Sequence, residues 1–423
     1  MNFLEYGVLV ENNSELYILL LLINFFIAAF ILKRQIFSIL DPILLNVFLI
    51  SIYSTTTLFM YILGYTSNYY LLNYILCYFL LMIGLNINGK NNIRKDIKQV
   101  YFTEDKLFYY ISLVIFLVSK FYIIIKNGIP LFAENADRAL FYSNVGIEKV
   151  LSDIFMLVVL FFIIEKLNIS GKNYIKNKFN IILLIVIFFI FITDGSKSNF
   201  YSLIISFFIY RYYFTKKNVS FPIVLIPIII GVFLLIIYIK SNYVLEDAIN
   251  ATLIAIINRG DTYVYVYSSD YIDISRFFNG DIFIFIRDLV YIPLSSFKLI
   301  VPTEGMEFFS QRIERYIYSD YGTLGPNAIY NLMALVYLGF WGSIVYSFIT
   351  GFLISWIRNK FTKIINLKNC FVRYIVFILQ LNIVSMISAP TLAIGNSVHY
   401  IIIPAFIYCI IYIYIYIIQK FLK

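Results

Sequence analysis

Near-continuous apolar stretches recur about eleven times along this chain, most close to the 20 or so residues that an α-helix needs to cross about 30 Å of hydrocarbon. They fall at residues 16–32, 43–63, 69–87, 107–125, 150–164, 179–193, 199–214, 221–239, 327–357, 370–388 and 398–418. Backbone groups inside lipid must find their hydrogen bonds within their own segment, so each stretch is expected as a helix. The composition agrees: 61% of residues are hydrophobic and 13% charged, where soluble domains carry about 25% charge. The expected fold class is therefore an all-α, polytopic integral membrane protein. No Lys or Arg precedes the first stretch and Lys33 and Arg34 follow it, the reverse of a secretory leader, so it reads as an anchor with its N-terminus outside.

Alternating the spans from that start gathers Lys33, Arg34, the 90–106 and 166–178 runs, Arg211, Lys216, Lys217, the 358–368 run, Arg373, Lys420 and Lys423 on one face. About 21 of the 33 basic residues lie there, nearly all in short connectors, which marks that face as cytoplasmic. The expected organisation is spans one to eight over 1–239, with an outer loop at 126–149, then a large extracytoplasmic loop over 240–326, then spans nine to eleven over 327–423. The C-terminus is expected in the cytoplasm.

Two segments inside the large loop, 251–267 and 282–301, are apolar enough to be mistaken for spans. Each carries a charge pair, Arg259 with Asp261 and Arg287 with Asp288, at about 2.5 to 3.5 kcal/mol per charge at mid-membrane. They are expected as amphipathic or re-entrant helices at the outer surface, with a break at Pro293 in the second. The three cysteines, Cys77, Cys370 and Cys409, all sit in apolar spans and His399 is the sole histidine, so neither a disulfide framework nor a thiolate or imidazole metal site is expected. No cofactor is expected either. The 38 tyrosines and 42 phenylalanines accompany abundant Ile, Asn and Lys, the signature of A/T-rich coding rather than of aromatic platforms.

Three short motifs lie on the expected outer side: Asn127-Gly-Ile-Pro-Leu-Phe followed by Ala136-Asp137-Arg138, then Thr193-Asp-Gly-Ser-Lys197, then Gly322-Thr-Leu-Gly-Pro-Asn327 leading into Leu338-Gly-Phe-Trp-Gly342. Together with the layout of the spans, they resemble the oligosaccharide repeat-unit polymerases, the Wzy-type O-antigen and capsule polymerases. That resemblance implies a GT-C-like, metal-independent membrane glycosyltransferase acting on undecaprenyl-diphosphate-linked glycans. It implies as partners the lipid bilayer and the chain-length regulator and flippase of the same pathway, and no nucleic acid. An O-antigen ligase, another lipid-linked-sugar transferase or a flippase of lipid-linked oligosaccharides are the alternatives.

In such a reaction negative charge collects on the departing diphosphate while the sugar becomes oxocarbenium-like, so fixed cations at the phosphates lower the barrier. The outer-side cations that could bind the diphosphate are Arg138, Lys197, Arg259, Arg287, Arg312 and Arg315; relatives commonly carry arginine where this chain has Lys197. Arg287 is the strongest, because a cation interrupting an apolar run needs a partner or a cavity. Arg312 and Arg315 share a helix face and could clamp a diphosphate or rest on anionic headgroups. The acceptor hydroxyl needs a base, for which Asp261 and Asp320 are the preferred carboxylates. Three further expectations concern architecture. Lys120 snorkels to the outer surface, His399 bonds at headgroup level, and Gly339, Gly342 and Gly351 let helices approach closely.

Overall fold

A computed structural model describes residues 3–89, 103–132, 141, 145–170, 177–194, 197–215, 231, 235, 238, 257–268, 281–296, 309–318, 328–365 and 367–421. Every regular element among them is helical. In chain order the main helices are α1 (Phe3–Asn12), α2 (Ser14–Leu32), α3 (Pro42–Ile62), α4 (Asn68–Ile87), α5 (Thr103–Asn127), α6 (Gly146–Ser170), α7 (Lys178–Thr193) and α8 (Lys197–Phe214). The short α9 (Asp261–Ser268), α10 (Ile282–Leu289), α11 (Tyr291–Ser296) and α12 (Phe309–Tyr318) follow, then α13 (Tyr330–Trp356), α14 (Cys370–Asn382) and α15 (Pro390–Phe421).

Six helices among the described residues are long and apolar enough to cross a membrane: α2, α3, α4, most of α5, α13 with its extension to Ile364, and α15. α7, α8 and the α14 segment are apolar over shorter lengths. α6 coincides with the expected fifth span but is interrupted by Asp153, Glu165 and Lys166. The expected eighth span, 221–239, lies almost wholly outside the described residues. The chain is thus a helix-rich, multi-pass membrane protein with fewer clear crossings than the eleven apolar stretches suggest. By internal contacts it divides into two compact units that each draw on several parts of the chain.

The first unit comprises residues 1–92, 251–364 and 382–397. Its tightest packing is between α4 and α13, where Gly84 and Gly351 face each other. A methyl on Gly84 would lie 2.6 Å from the Phe348 carbonyl oxygen and 2.7 Å from the Phe352 nitrogen, and one on Gly351 would strike the Leu81 carbonyl oxygen. Polar bonds flank that crossing: Asn73 Nδ2 donates to Ser343 Oγ at 2.8 Å, and Ser355 Oγ to the Gly84 carbonyl at 2.8 Å. Gly351 does what was expected of it. Gly339 does something else: its φ of 72° and ψ of −170° interrupt α13, a backbone state that favours glycine, and divide it into a buried segment before residue 339 and a long helix after it.

α9 also departs from expectation. Rather than resting on a surface, it is enclosed, with Tyr263, Val264, Val266 and Tyr267 all buried. Tyr263 packs against Tyr53 and Tyr74 with ring centroids 5.5 Å away, and its hydroxyl donates to Asn331 Oδ1 at 2.6 Å. A helix whose tyrosines find both aromatic faces and a hydrogen-bond acceptor inside the unit gains more there than at an interface. The break in the next apolar segment falls at Val290, between α10 and α11, and Pro293 sits within the first turn of α11, where proline is tolerated.

The second unit comprises residues 93–250, 365–381 and 398–423. Its core is aromatic, with Phe371 stacked on Tyr408 at 4.6 Å and Phe161 against Tyr374 at 5.6 Å. Two ion pairs are sealed in this unit. Arg373 Nε donates to Glu165 Oε1 at 2.7 Å, its Nη1 reaches the carbonyls of Leu367 and Lys368, and the Cys370 thiol donates to Glu165 Oε2 at 3.3 Å. Lys120 does not snorkel; it is buried and donates to Asp194 at 2.5 Å. His399 is likewise buried, nine residues into α15.

The first unit holds a comparable pair, Arg358 Nη2 donating to both oxygens of Asp41 at 3.0 and 2.9 Å. Arg358 follows α13 in a π-turn over Ile357–Phe361. Arg358 and Arg373 are therefore interior ion-pair members, not part of a solvated basic fringe.

Candidate functional site

The first unit brings two of the expected cations to one carboxylate. α10 starts where Asp281 accepts a bond from the Phe283 amide, and its eight residues place Phe285 and Asp288 on the buried side. Phe285 packs against Tyr346 of α13 at 4.9 Å, and Phe309 at the head of α12 against Tyr337 at 6.0 Å. Those contacts bring α10, α12 and the buried first segment of α13 together around Asp288.

Asp288 is fully buried. Arg287 Nη2 donates to its Oδ1 at 3.2 Å, and the Tyr337 hydroxyl donates to its Oδ2 through a short bond. Arg312, itself buried, acts on the same carboxylate electrostatically. Burial pushes the Asp288 carboxyl above its ordinary range, opposed by the Tyr337 bond and by the two guanidiniums. Two guanidiniums thus act on one enclosed carboxylate. Arg287 spends one nitrogen on Asp288, while its Nε lies buried without a hydrogen-bond partner and about a quarter of its side chain remains accessible. The arrangement is suited to accept an anionic oxygen, since the guanidinium fork has donors to spare and stays charged.

Arg259 and Asp261 form a second group, against α3. Arg259 closes a 3-10 turn and is exposed, and Gly260 is pressed so closely on Thr56 that a side chain there would strike its hydroxyl. Asp261 opens α9 and accepts from the neighbouring Thr262 amide at 2.6 Å and the Thr262 hydroxyl at 3.2 Å. Burial nevertheless pushes its carboxyl up to about 6. A half-buried carboxylate titrating near neutrality suits a proton acceptor.

Of the remaining expected site residues, Arg138 and Asp320 lie outside the described residues. Lys197 begins α8 and Arg315 lies in α12, but the side chains of both are outside the description. Tyr337 and Asp288 were not read as site residues from sequence. The only signal for them was that Arg287, in an apolar run, required a partner. Asp194, in the second of the three motifs, was likewise unremarked and is the partner of Lys120. Comparison with protein-family models, with curated proteins and with solved structures found no match.

Proposed function

We propose that this protein is a membrane glycosyltransferase that polymerises undecaprenyl-diphosphate-linked oligosaccharide repeat units into O-antigen or capsular polysaccharide. It works at the outer face of the cytoplasmic membrane, with its N-terminus outside and its C-terminus in the cytoplasm. On this reading it is a Wzy-type polymerase with a GT-C-like arrangement, and a chain-length regulator and flippase of the same pathway act beside it. The observation that carries the reading is the group of Arg287, Asp288, Arg312 and Tyr337, which holds two guanidiniums at one enclosed carboxylate and leaves part of the Arg287 side chain accessible; fixed cations of this kind stabilise a leaving diphosphate.

In the mechanism, Arg287 and Arg312 bind the diphosphate of the growing chain; Arg259 and Arg315, and Arg138 and Lys197, remain proposed diphosphate-binding cations. Asp288 and Tyr337 hold Arg287 in place. As the bond from sugar to phosphate lengthens, these charges take up the negative charge that moves onto the diphosphate. Asp261, or Asp320, accepts the proton of the attacking hydroxyl on the incoming repeat unit. The products are a chain one unit longer and a free lipid diphosphate.

Deleting the gene and resolving the surface glycan on a gel tests this directly. A polymerase defect leaves a single repeat unit attached, whereas a ligase defect leaves none and a flippase defect traps units inside the cell. Arg287→Ala is expected to give the single-unit pattern while the protein still inserts; long chains in that strain would remove Arg287 from the mechanism.

A further inference from the structure

α10 presents more than its arginine. At 100° per residue its accessible side chains form one arc: Ile282, Ile286, Phe283 and Arg287 fall within about 140° of the helix circumference. Phe285 and Asp288 occupy the opposite side. The three apolar members are about half exposed or more, Phe283 at 76%, and Arg287 closes the arc one turn beyond Phe283. A short helix with an apolar outward face and a cation at one margin matches a ligand that is itself apolar along its length and anionic at its head.

We infer that this arc is the docking face for the polyprenyl chain of the lipid-linked donor, with Phe283, Ile286 and Ile282 against the first isoprene units and Arg287 on the adjoining phosphate. The inference rests on the proposed function and gives its lipid a position. Charge complementarity selects the occupant. The guanidinium is tied to Asp288 through one nitrogen and about a quarter of the side chain stays accessible, so it can meet a phosphate at the end of the apolar strip. Acyl chains alone could cover Ile282 and Phe283 but carry no charge for Arg287, and a phospholipid phosphate in place of the polyprenyl one is the outcome that phosphatidic acid tests below.

The test uses the full chain in phosphatidylcholine nanodiscs, with farnesyl diphosphate, inorganic pyrophosphate and phosphatidic acid as probes. Wild type is expected to bind farnesyl diphosphate at least tenfold more tightly than pyrophosphate, because seating an aromatic and two branched side chains on the tail is worth at least that factor. Phe283→Ser with Ile286→Ser is expected to erase the difference and leave pyrophosphate affinity unchanged. Phe283→Leu is expected to keep most of it, and both positions are exposed, so the fold is not at stake. A preference that survives the double substitution overturns the docking face but not the diphosphate site, provided Arg287→Ala still weakens pyrophosphate binding. Failure of wild type to bind pyrophosphate at all overturns the diphosphate site and this inference with it. Phosphatidic acid displacing farnesyl diphosphate as well as unlabelled farnesyl diphosphate does would make the arc a general phospholipid contact, and would overturn the polyprenyl assignment.

Discussion

Replacing Asp288 by alanine removes the carboxylate on which Arg287, Arg312 and Tyr337 act. The carboxylate is wholly buried, so its loss leaves a tyrosine hydroxyl and a buried guanidinium facing each other without it. Breaking a buried pair from one side typically costs about 3 to 5 kcal/mol, because the remaining charge is uncompensated. Arg287 is partly accessible and can turn toward water, which places the expected loss near the lower figure. Asp288→Asn keeps an acceptor for Tyr337 but turns an amide donor or a neutral oxygen toward Arg287; about half the loss is expected, since a hydrogen bond to a charged group is worth about 1.5 to 3 kcal/mol. The order of stability is then wild type, Asp288→Asn, Asp288→Ala. Adding Arg287→Met to Asp288→Ala should recover part of the loss, because the cation hydrogen-bonded to the lost carboxylate goes with it. Thermal and SDS-induced unfolding of the purified protein measures all four. An Asp288→Ala protein within about 0.5 kcal/mol of wild type would refute the account of Asp288 as the centre of the cluster.

Asp261 sets two pH dependences of opposite sign. Its folded carboxyl titrates at about 6 against an ordinary 3.8, so the folded state holds the proton more tightly and stability falls as pH rises from about 4 to about 6, by on the order of 2 kcal/mol; on the proposed function, in which Asp261 acts as the base, polymerisation should instead fall as pH drops below about 6. Asp261→Asn should flatten the stability profile between those pH values and abolish activity, as unfolding curves and in vitro elongation would record. Gly351→Leu should separate α4 from α13, because the added atoms meet the Leu81 carbonyl and the Leu85 nitrogen at 2.9 Å, backbone atoms that cannot rotate away; a loss of about 3 kcal/mol or failure to accumulate in the membrane is expected. Arg373→Met alone should destabilise by about 3 to 5 kcal/mol and the double change Arg373→Met with Glu165→Gln by distinctly less, since the second change removes the stranded charge. Equal losses in single and double variants, read by thermal melting, would argue against the pairing.

Helix positions were legible because hydrophobic length is a local property. The expected spans 43–63 and 69–87 differ by a residue or so from α3 and α4, and 16–32 from α2 by two. The interior of α13 was not legible: a helix run of that hydropathy carries no sign that Gly339 reverses its φ, and the Leu338-Gly-Phe-Trp-Gly342 motif reads equally well as a packing stripe. α9 was misplaced for a related reason. Its Asp-Thr-Tyr-Val-Tyr-Val-Tyr sequence alternates without a polar face, and only the tyrosines of α3 and α4 make burial the better place for it.

Charges were the least legible feature, because their partners are remote. Lys120 and Asp194 are 74 residues apart, Glu165 and Arg373 208, and Asp41 and Arg358 317. Counting basic residues by face treats each as a solvated charge, and two of those counted, Arg358 and Arg373, are neutralised inside the protein. Removing them lowers the inner count from about 21 to about 19 against about a dozen on the other side, so the orientation argument keeps its sign. What changes is the criterion for a site. The rule that an intramembrane cation must have a partner applies to Lys120, Arg358 and Arg373 as much as to Arg287. Each of the three arginines keeps a buried nitrogen without a hydrogen bond, but Arg358 and Arg373 are wholly enclosed and Lys120 nearly so, whereas Arg287 keeps about a quarter of its side chain accessible. An ion pair that closes on itself holds helices together. One that leaves its cation a donor beside an accessible face has kept the capacity to bind something else.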